Sequence, residues 1–198
     1  MTTTAQQEKS TSRSEQGGMS TLGVVASAGA AGAVLGVLAM IGRKVAVQAP
    51  TYLAGDWDQA LAAEHKATLL VFDAIQATPD TAKVKRAMLL ANLKHMLAKH
   101  ALEEENAIYP ALRDAGMVAE ADELNSEHGY VKQYLYDLEN MPNDSARFLE
   151  TMAKFRADIE QHMREEEDDL FPGLKSQLSE EKNRALTRTM NKEGFKIA

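Results

Sequence analysis

No cysteine occurs in the 198 residues. Disulfides, thiolate nucleophiles and iron–sulfur clusters are therefore excluded, and any metal must be held through nitrogen and oxygen. Aromatic residues are few and β-branched alternation is scarce, while Ala, Leu, Met, Glu and Lys abound. That composition favours helices over sheets. Cationic residues are outnumbered, 22 Lys and Arg against 29 Asp and Glu, and the formal charge is −7. A nucleic-acid backbone needs a basic surface, so no nucleic acid is expected as the main partner. Neither a Gly-rich phosphate loop nor a Ser-His-Asp set is visible. The length suits one domain with a proper core plus an appendage.

What is present is a repeat. The stretch His100-Ala-Leu-Glu-Glu-Glu-Asn-Ala-Ile-Tyr-Pro-Ala-Leu112 returns as His162-Met-Arg-Glu-Glu-Glu-Asp-Asp-Leu-Phe-Pro-Gly-Leu174. The His, three Glu, aromatic, Pro and final Leu coincide in the two copies, and such self-similarity points to a duplicated structural unit. Each copy reads as the C-terminal part of a helix that stops near its Pro. Helical residues four apart share a face, so His100 with Glu104, and His162 with Glu166, can grip one object together. Imidazole plus carboxylate is a ligand set for iron, manganese or zinc.

The chain divides into five parts. Residues 1–21 are polar, lack apolar periodicity and read as disordered. Residues 22–44 form an apolar Ala/Gly-rich helix, uncharged from Leu22 to Gly42 and followed at once by Arg43 and Lys44. Two readings stand for residues 22–42. In one they span a membrane, with the paired cations marking the cytoplasmic side and the bundle anchored to the inner membrane. In the other the chain is soluble and cytoplasmic, and the helix packs on the protein itself or on a second copy. Ala28, Gly32 and Gly36, spaced by four, allow close helix contact and hence a homo-oligomer. A signal peptide fits less well, because the small-residue site Val47-Gln-Ala49 is followed by Pro50. Residues 45–55, with Pro50 and Gly55, read as a linker.

Residues 56–175 carry four amphipathic patterns. The first opens at Asp56-Trp57-Asp58 with the stripe Leu61, His65, Leu69, Phe72 and Ile75. Thr78-Pro79-Asp80 breaks it, and Asp80 is placed to cap the next helix. The second runs from about Thr81 to Tyr109, with Leu89, Leu93, Met96, Leu97, His100 and Glu104 on its stripe, and Asp114-Ala-Gly116 as the following turn. The third runs from about Val118 to Glu139 through Leu124, His128, Val131, Leu135 and Leu138. After Met141-Pro-Asn-Asp144 the fourth runs from about Ser145 to Leu170 through Phe148, Met152, Phe155, Ile159, His162, Glu166 and Leu170. Short connections between them predict an all-α, up-down-up-down antiparallel four-helix bundle. Residues 176–198 add a short polar C-terminal helix or tail, capped by Ser179 and ending before Gly194.

The duplication extends to the first and third helices, where Glu64-His65 echoes Glu127-His128. Each of the four helices thus carries one His on its apolar stripe. Burying those imidazoles with Glu104 and Glu166 in a dry core costs several kcal/mol per unpaired group, and a bound cation removes that cost. The candidate metal ligands are therefore His65, His100, Glu104, His128, His162 and Glu166. His95, about 140° around the helix from His100, is expected to face solvent. Glu103, Glu105, Glu165 and Glu167 are expected on the solvated flank of the motif, with Glu103 and Glu165 the candidates to orient the imidazoles.

This ordered set resembles the hemerythrin (HHE cation-binding) family over about residues 56–174, and Tyr109-Pro110 and Phe171-Pro172 match the aromatic-Pro tail of the motif in that family. The resemblance implies two non-haem iron ions, with manganese or zinc as alternatives. Glu104 and Glu166 would bridge the ions, and the imidazoles would fill terminal positions. A vacant position would take O₂, NO or peroxide, for sensing, storage or detoxification. One departure stands out: the oxygen carriers have a second His four residues after the third-helix His, where this chain has Lys132. Tyr130, Tyr134 or a neighbouring Glu are the candidates to substitute. Reversible storage is thereby less favoured. Two other classes stay open: a di-iron enzyme with peroxidase-like, catalase-like or oxidase activity, and a metal-free helical interaction module.

Overall fold

Apolar residues recurring every three to four positions wind into rods that bury one face, and every rod expected between Trp57 and Leu170 forms. The computed structural model describes residues 1–2 and 39–198, of which residues 42–198 form one unit. Helix α1 covers residues 39–53, and α2 runs Trp57–Gln76. Helix α3, Lys83–Glu103, passes through a π turn at Glu104–Ile108 into α4, Tyr109–Asp114. Helix α5 is Val118–Glu139. Helix α6, Ala146–Glu165, passes through a second π turn at Glu166–Leu170 into α7, Phe171–Gln177. Helix α8 is Glu180–Ile197. Helix α2 packs on α3 and α6, while α5 packs on α4 and α6, closing the four-helix bundle.

The turns follow from local chemistry. Gly116 takes φ +88°, which suits a residue without a Cβ, and lets the Met117 N–H reach the Leu112 carbonyl at 2.9 Å. The Ser145 hydroxyl caps α6 by accepting from the Phe148 N–H at 3.3 Å. At the start of α3 the expected cap differs. Asp80 bonds no helix amide and instead accepts from Arg86 Nη2 at 2.9 Å. Arg86 is fully buried, and donates also to the Thr78 hydroxyl at 2.7 Å and the Asn143 carbonyl at 2.6 Å. One side chain thereby ties two inter-helix loops together at the same end of the bundle.

The core is interrupted. One apolar cluster gathers around Trp57, Leu61, Ile108, Leu124 and Phe171. The other gathers around Phe72, Leu93, Phe148, Phe155 and Ile159. Each such side chain contributes about 1.5–3 kcal/mol by burial. Along every bundle helix the His falls between the two clusters, so a polar layer crosses the middle of the bundle.

Both long rods pass through the prolines at which they were expected to stop. The π turn explains how. Proline cannot donate to the carbonyl four residues back and its ring crowds that carbonyl, but the wider turn just upstream relieves the crowding. Tyr109 N–H bonds Glu104 O and Phe171 N–H bonds Glu166 O, each across five residues. Glu104 and Glu166 therefore each open a π turn.

The expected linker at residues 45–55 is helical up to residue 53, and its buried Gln48 and Thr51 face the bundle. Arg43 and Lys44, read as the flank of a membrane span, donate to carbonyls in the last turn of α8: Lys44 Nζ to Phe195 O at 2.9 Å and Arg43 Nη1 to Ala198 O at 3.4 Å. Cations at a helix C-terminus are favoured by its dipole. The C-terminal segment is a docked helix. It continues through Gly194, and its Asn183 and Thr187 side chains accept from Trp57 Nε1 at 2.9 Å and Trp57 N at 3.1 Å. The disordered segment expected at 1–21, the apolar segment up to residue 38 and the Ala28/Gly32/Gly36 contact lie outside the described residues, apart from Met1 and Thr2. Among the described residues no helix is long and apolar enough to cross a membrane.

Candidate metal centre

The six side chains singled out in the sequence converge in the polar layer, all of them buried. They form two groups. His65, His100, Glu104 and Glu166 each offer an atom within 4.8 Å of the others, and so do Glu104, His128 and His162. Glu104 belongs to both: its Oε1 lies 3.1 Å from His100 Nε2 and its Oε2 3.3 Å from His128 Nε2. Glu166 Oε2 lies 3.5 Å from His65 Nε2 and 3.5 Å from His162 Nε2. Both carboxylates thus stand between the pair on α2 and α3 and the pair on α5 and α6.

The protons decide what these groups want. Each imidazole turns Nδ1 outward onto a carboxylate: His65 to Glu167 at 2.6 Å, His100 to Glu64 at 3.2 Å, His128 to Glu105 at 3.0 Å, His162 to Glu127 at 2.5 Å. A carboxylate only accepts, so Nδ1 carries the proton and Nε2 of the neutral ring keeps a lone pair. With both rings neutral, His65 Nε2 and His100 Nε2 point lone pairs at one another across 3.0 Å; without a cation, and against the cost of burial, Glu104 and Glu64 favour a proton on His100 instead and push its pKa well above the usual imidazole range. Two nitrogens bound at right angles to one metal ion at about 2.1 Å stand about 3 Å apart. Further, Glu104 Oε1, both oxygens of Glu166 and His162 Nε2 are buried without a hydrogen-bond partner. Orphaned acceptors of this kind cost about 1–3 kcal/mol each, and more when charged. A cation satisfies all of them, and the all-nitrogen-and-oxygen donor set fits iron, manganese or zinc.

A model of the hemerythrin HHE cation binding domain matches residues 58–174. The chain belongs to that family. This hemerythrin domain is also similar to two curated proteins. An uncharacterised hemerythrin-like protein of Schizosaccharomyces pombe is 30% identical over 92 residues, 44% of this chain and 44% of the other. A DNA nickase of Nostoc sp. is 24% identical over 118 residues, 60% of this chain and 33% of the other. The match therefore spans less than half of either relative. No solved structure matches.

The charge balance of the hemerythrin domain follows from its burial. Burial and the neighbouring Glu104 charge push Glu166 well above the usual carboxylate range. Glu104 goes the other way: burial opposes its ionisation, but His100 holds it well below that range. Two adjacent buried carboxylates resist being charged together, and a cation between them lifts that resistance. Beside them, burial works against Glu64, yet His100 and Lys99 bring it to about 2. Burial and the Glu64 charge push Glu103 to about 8.

Several expectations change. Glu103 orients no imidazole. It is wholly buried, 3.0 Å from Lys99 Nζ, and accepts from Gln48 of α1 at 3.0 Å. Glu165 is exposed. The orienting carboxylates are Glu64, Glu127, Glu105 and Glu167. Their signal was present in the sequence, a Glu directly before His65 and His128 and directly after Glu104 and Glu166, but cross-helix partners do not follow from spacing on one helix. His95, expected in solvent, is half-buried with Nε2 covered and unpaired. Lys132 does not enter the site: it is exposed and pairs with Glu105 at 3.1 Å. Tyr130 is exposed and Tyr134 donates to Asp158 at 2.5 Å, so neither reaches the centre. The phenol that does is Tyr109, buried, with its hydroxyl 3.0 Å from His128 Nε2 and 3.4 Å from Glu104 Oε2. Burial and the Glu104 charge raise its pKa, so it keeps its proton as a donor. Phe171 holds the equivalent place in the second repeat, which makes the two halves unequal.

Proposed function

We propose that the domain holds two iron ions, one beside His65 and His100 and the other beside His128 and His162, and that this pair meets O₂, NO or peroxide. The observation that carries the reading is the sharing of Glu104 between two groups of buried, otherwise unpartnered donor atoms. Glu104 and Glu166 are the bridging carboxylates on this reading. The four outer carboxylates fix the tautomer and the aim of each imidazole. The two apolar clusters keep water from the layer between them. Iron supplies reversible one-electron chemistry and an open position for a small ligand. Iron held there would take its ligand on the side of His128 and His162, where Lys132 gives no nitrogen and the Tyr109 hydroxyl is placed to donate a hydrogen bond to an incoming oxygen atom.

Sensing or detoxification fits this arrangement better than storage, which needs a more saturated site. Turnover of peroxide is a second reading, favoured by the protonated Tyr109 at the centre; steady O₂ evolution from hydrogen peroxide supports it, and a single stoichiometric reaction does not. A metal-free interaction module leaves the orphaned acceptors unexplained, and the charge of −7 gives a nucleic-acid backbone no attraction.

Elemental analysis and an absorption spectrum of the full chain test the proposal. About two irons per chain are expected, with near-ultraviolet absorption. His100→Ala and Glu166→Ala should lose most of both. Full occupancy surviving both substitutions overturns it.

A further inference from the structure

Two hollows meet at His162. The larger is a groove of about 540 Å³ between α5 and α6, walled by Tyr130, Tyr134, Asp158 and Lys154 and reaching Glu127 and His162. The smaller is a cavity of about 10 Å³ lined by the imidazoles of His100, His128 and His162 and by Leu97, Ala101 and Met163. That volume holds about one water-sized molecule. Only Val131, Ile159 and His162 line both hollows. His162 joins them chemically as well: its Nδ1 bonds the part-exposed Glu127 on the groove wall, while its Nε2 is buried and unpartnered.

Three other approaches are covered, and the part-exposed Glu105 and Glu167 on the flanks of His128 and His65 border neither hollow. Helices α1 and α8 cover the flank of His100, where Gln48, Thr51, Lys99 and Glu103 are buried in one hydrogen-bonded set. The two apolar clusters close the layer along the bundle axis. Apart from the imidazoles, the small cavity presents hydrocarbon and one thioether. An ion entering it gives up its hydration for no partner, whereas an uncharged diatomic molecule gives up little.

We propose that uncharged diatomic molecules, NO and O₂, reach the metal centre from the α5–α6 groove, and that Val131 and Ile159 form the neck that sets the rate and size of passage. This rests on the metal-centre reading above, and names the route by which that centre is reached. Neither neck residue offers a ligand atom, so each can be changed with the donor set intact.

The test uses the full chain loaded with ferrous iron and mixed rapidly with NO. Val131→Phe and Ile159→Phe should slow association about tenfold, the rate equivalent of the crowding that added core atoms impose. Val131→Ala should speed it severalfold, with iron content unchanged. Association within about twofold of wild type in both Val131→Phe and Val131→Ala, at equal iron content, overturns the route. A parent protein that takes up no iron overturns the metal-centre reading instead, by a separate measurement. A readout without iron chemistry is methyl relaxation in the zinc-loaded protein under O₂ pressure. The methyls of the part-exposed Val131 and of the buried Ile159 and Met163 should relax faster than those of the buried Leu93, and Val131→Phe should remove the excess at Met163. Equal relaxation at all four positions overturns the proposal, and if Val131→Phe does not fold, Val131→Ala and this comparison decide it.

Discussion

Glu127→Ala isolates what an outer carboxylate does for the centre. Glu127 accepts the Nδ1 proton of His162 at 2.5 Å, while His162 Nε2 faces the centre with no partner of its own. A hydrogen bond to a charged group is worth about 1.5–3 kcal/mol. The Glu127 side chain is 35% exposed, so water replaces part of the loss and the lower end applies. About 1.5–2 kcal/mol corresponds to roughly 10–30-fold weaker metal binding, within the roughly 10–100-fold typical of such outer partners. Glu64→Ala should cost more, toward roughly 100-fold, because Glu64 is only 13% exposed and water replaces it less well. Glu165→Ala, an exposed carboxylate next to the same motif, is the control and should change affinity by less than about twofold, as surface substitutions do. The assay is competition with a chelator of known affinity at fixed pH. A loss below about threefold for Glu127→Ala, or an equal loss for Glu165→Ala, would refute the claim that these carboxylates aim the imidazoles.

Three further outcomes are expected. Tyr109→Phe should retain the metal, measured by elemental analysis, while shifting the absorption spectrum and slowing the reaction with peroxide, since only the hydroxyl beside His128 is lost. Arg86→Met should lower stability by about 2–4 kcal/mol, read from denaturant unfolding, because the Thr78 and Asn143 carbonyls lose their donor at about 1–3 kcal/mol each, while the exposed Asp80 is resolvated. Glu103 should make stability fall with rising pH. Its folded pKa of about 8 lies above the ordinary carboxylate value, so the folded state holds a proton that the unfolded state has released between about pH 4.5 and 8. The stability difference between wild type and Glu103→Gln should therefore change across that window and level off above it; a difference that is flat from pH 5 to 8 contradicts the assignment.

The duplicated His-x-x-x-Glu motif and the apolar stripes were sufficient for the bundle, the order of its helices and the six convergent side chains. Helical periodicity is a local property: residues four apart share a face whatever surrounds them. The same locality explains what went unread. Pro110 and Pro172 looked like helix ends because the usual hydrogen-bond register makes them so, and the π turns that carry each rod past its proline depend on the packing of the polar layer. Residues 45–53 looked like a linker because Pro50 and Gly55 are helix breakers, and the polar face that docks this helix has no partner on the helix itself. Its partners, Glu64, Lys99, Glu103 and Asn191, come from α2, α3 and α8.

The choice of carboxylate for each imidazole belongs to the tertiary structure alone. Glu64 serves His100, Glu105 serves His128, Glu127 serves His162 and Glu167 serves His65, always between helices. The sequence by itself determined which donors exist and which helix face each occupies. Which lone pairs face one another, which proton lies outside, and that Tyr109 rather than Tyr130 or Tyr134 reaches the centre were decided only when four helices met, because spacing along one helix says nothing about what stands across from it.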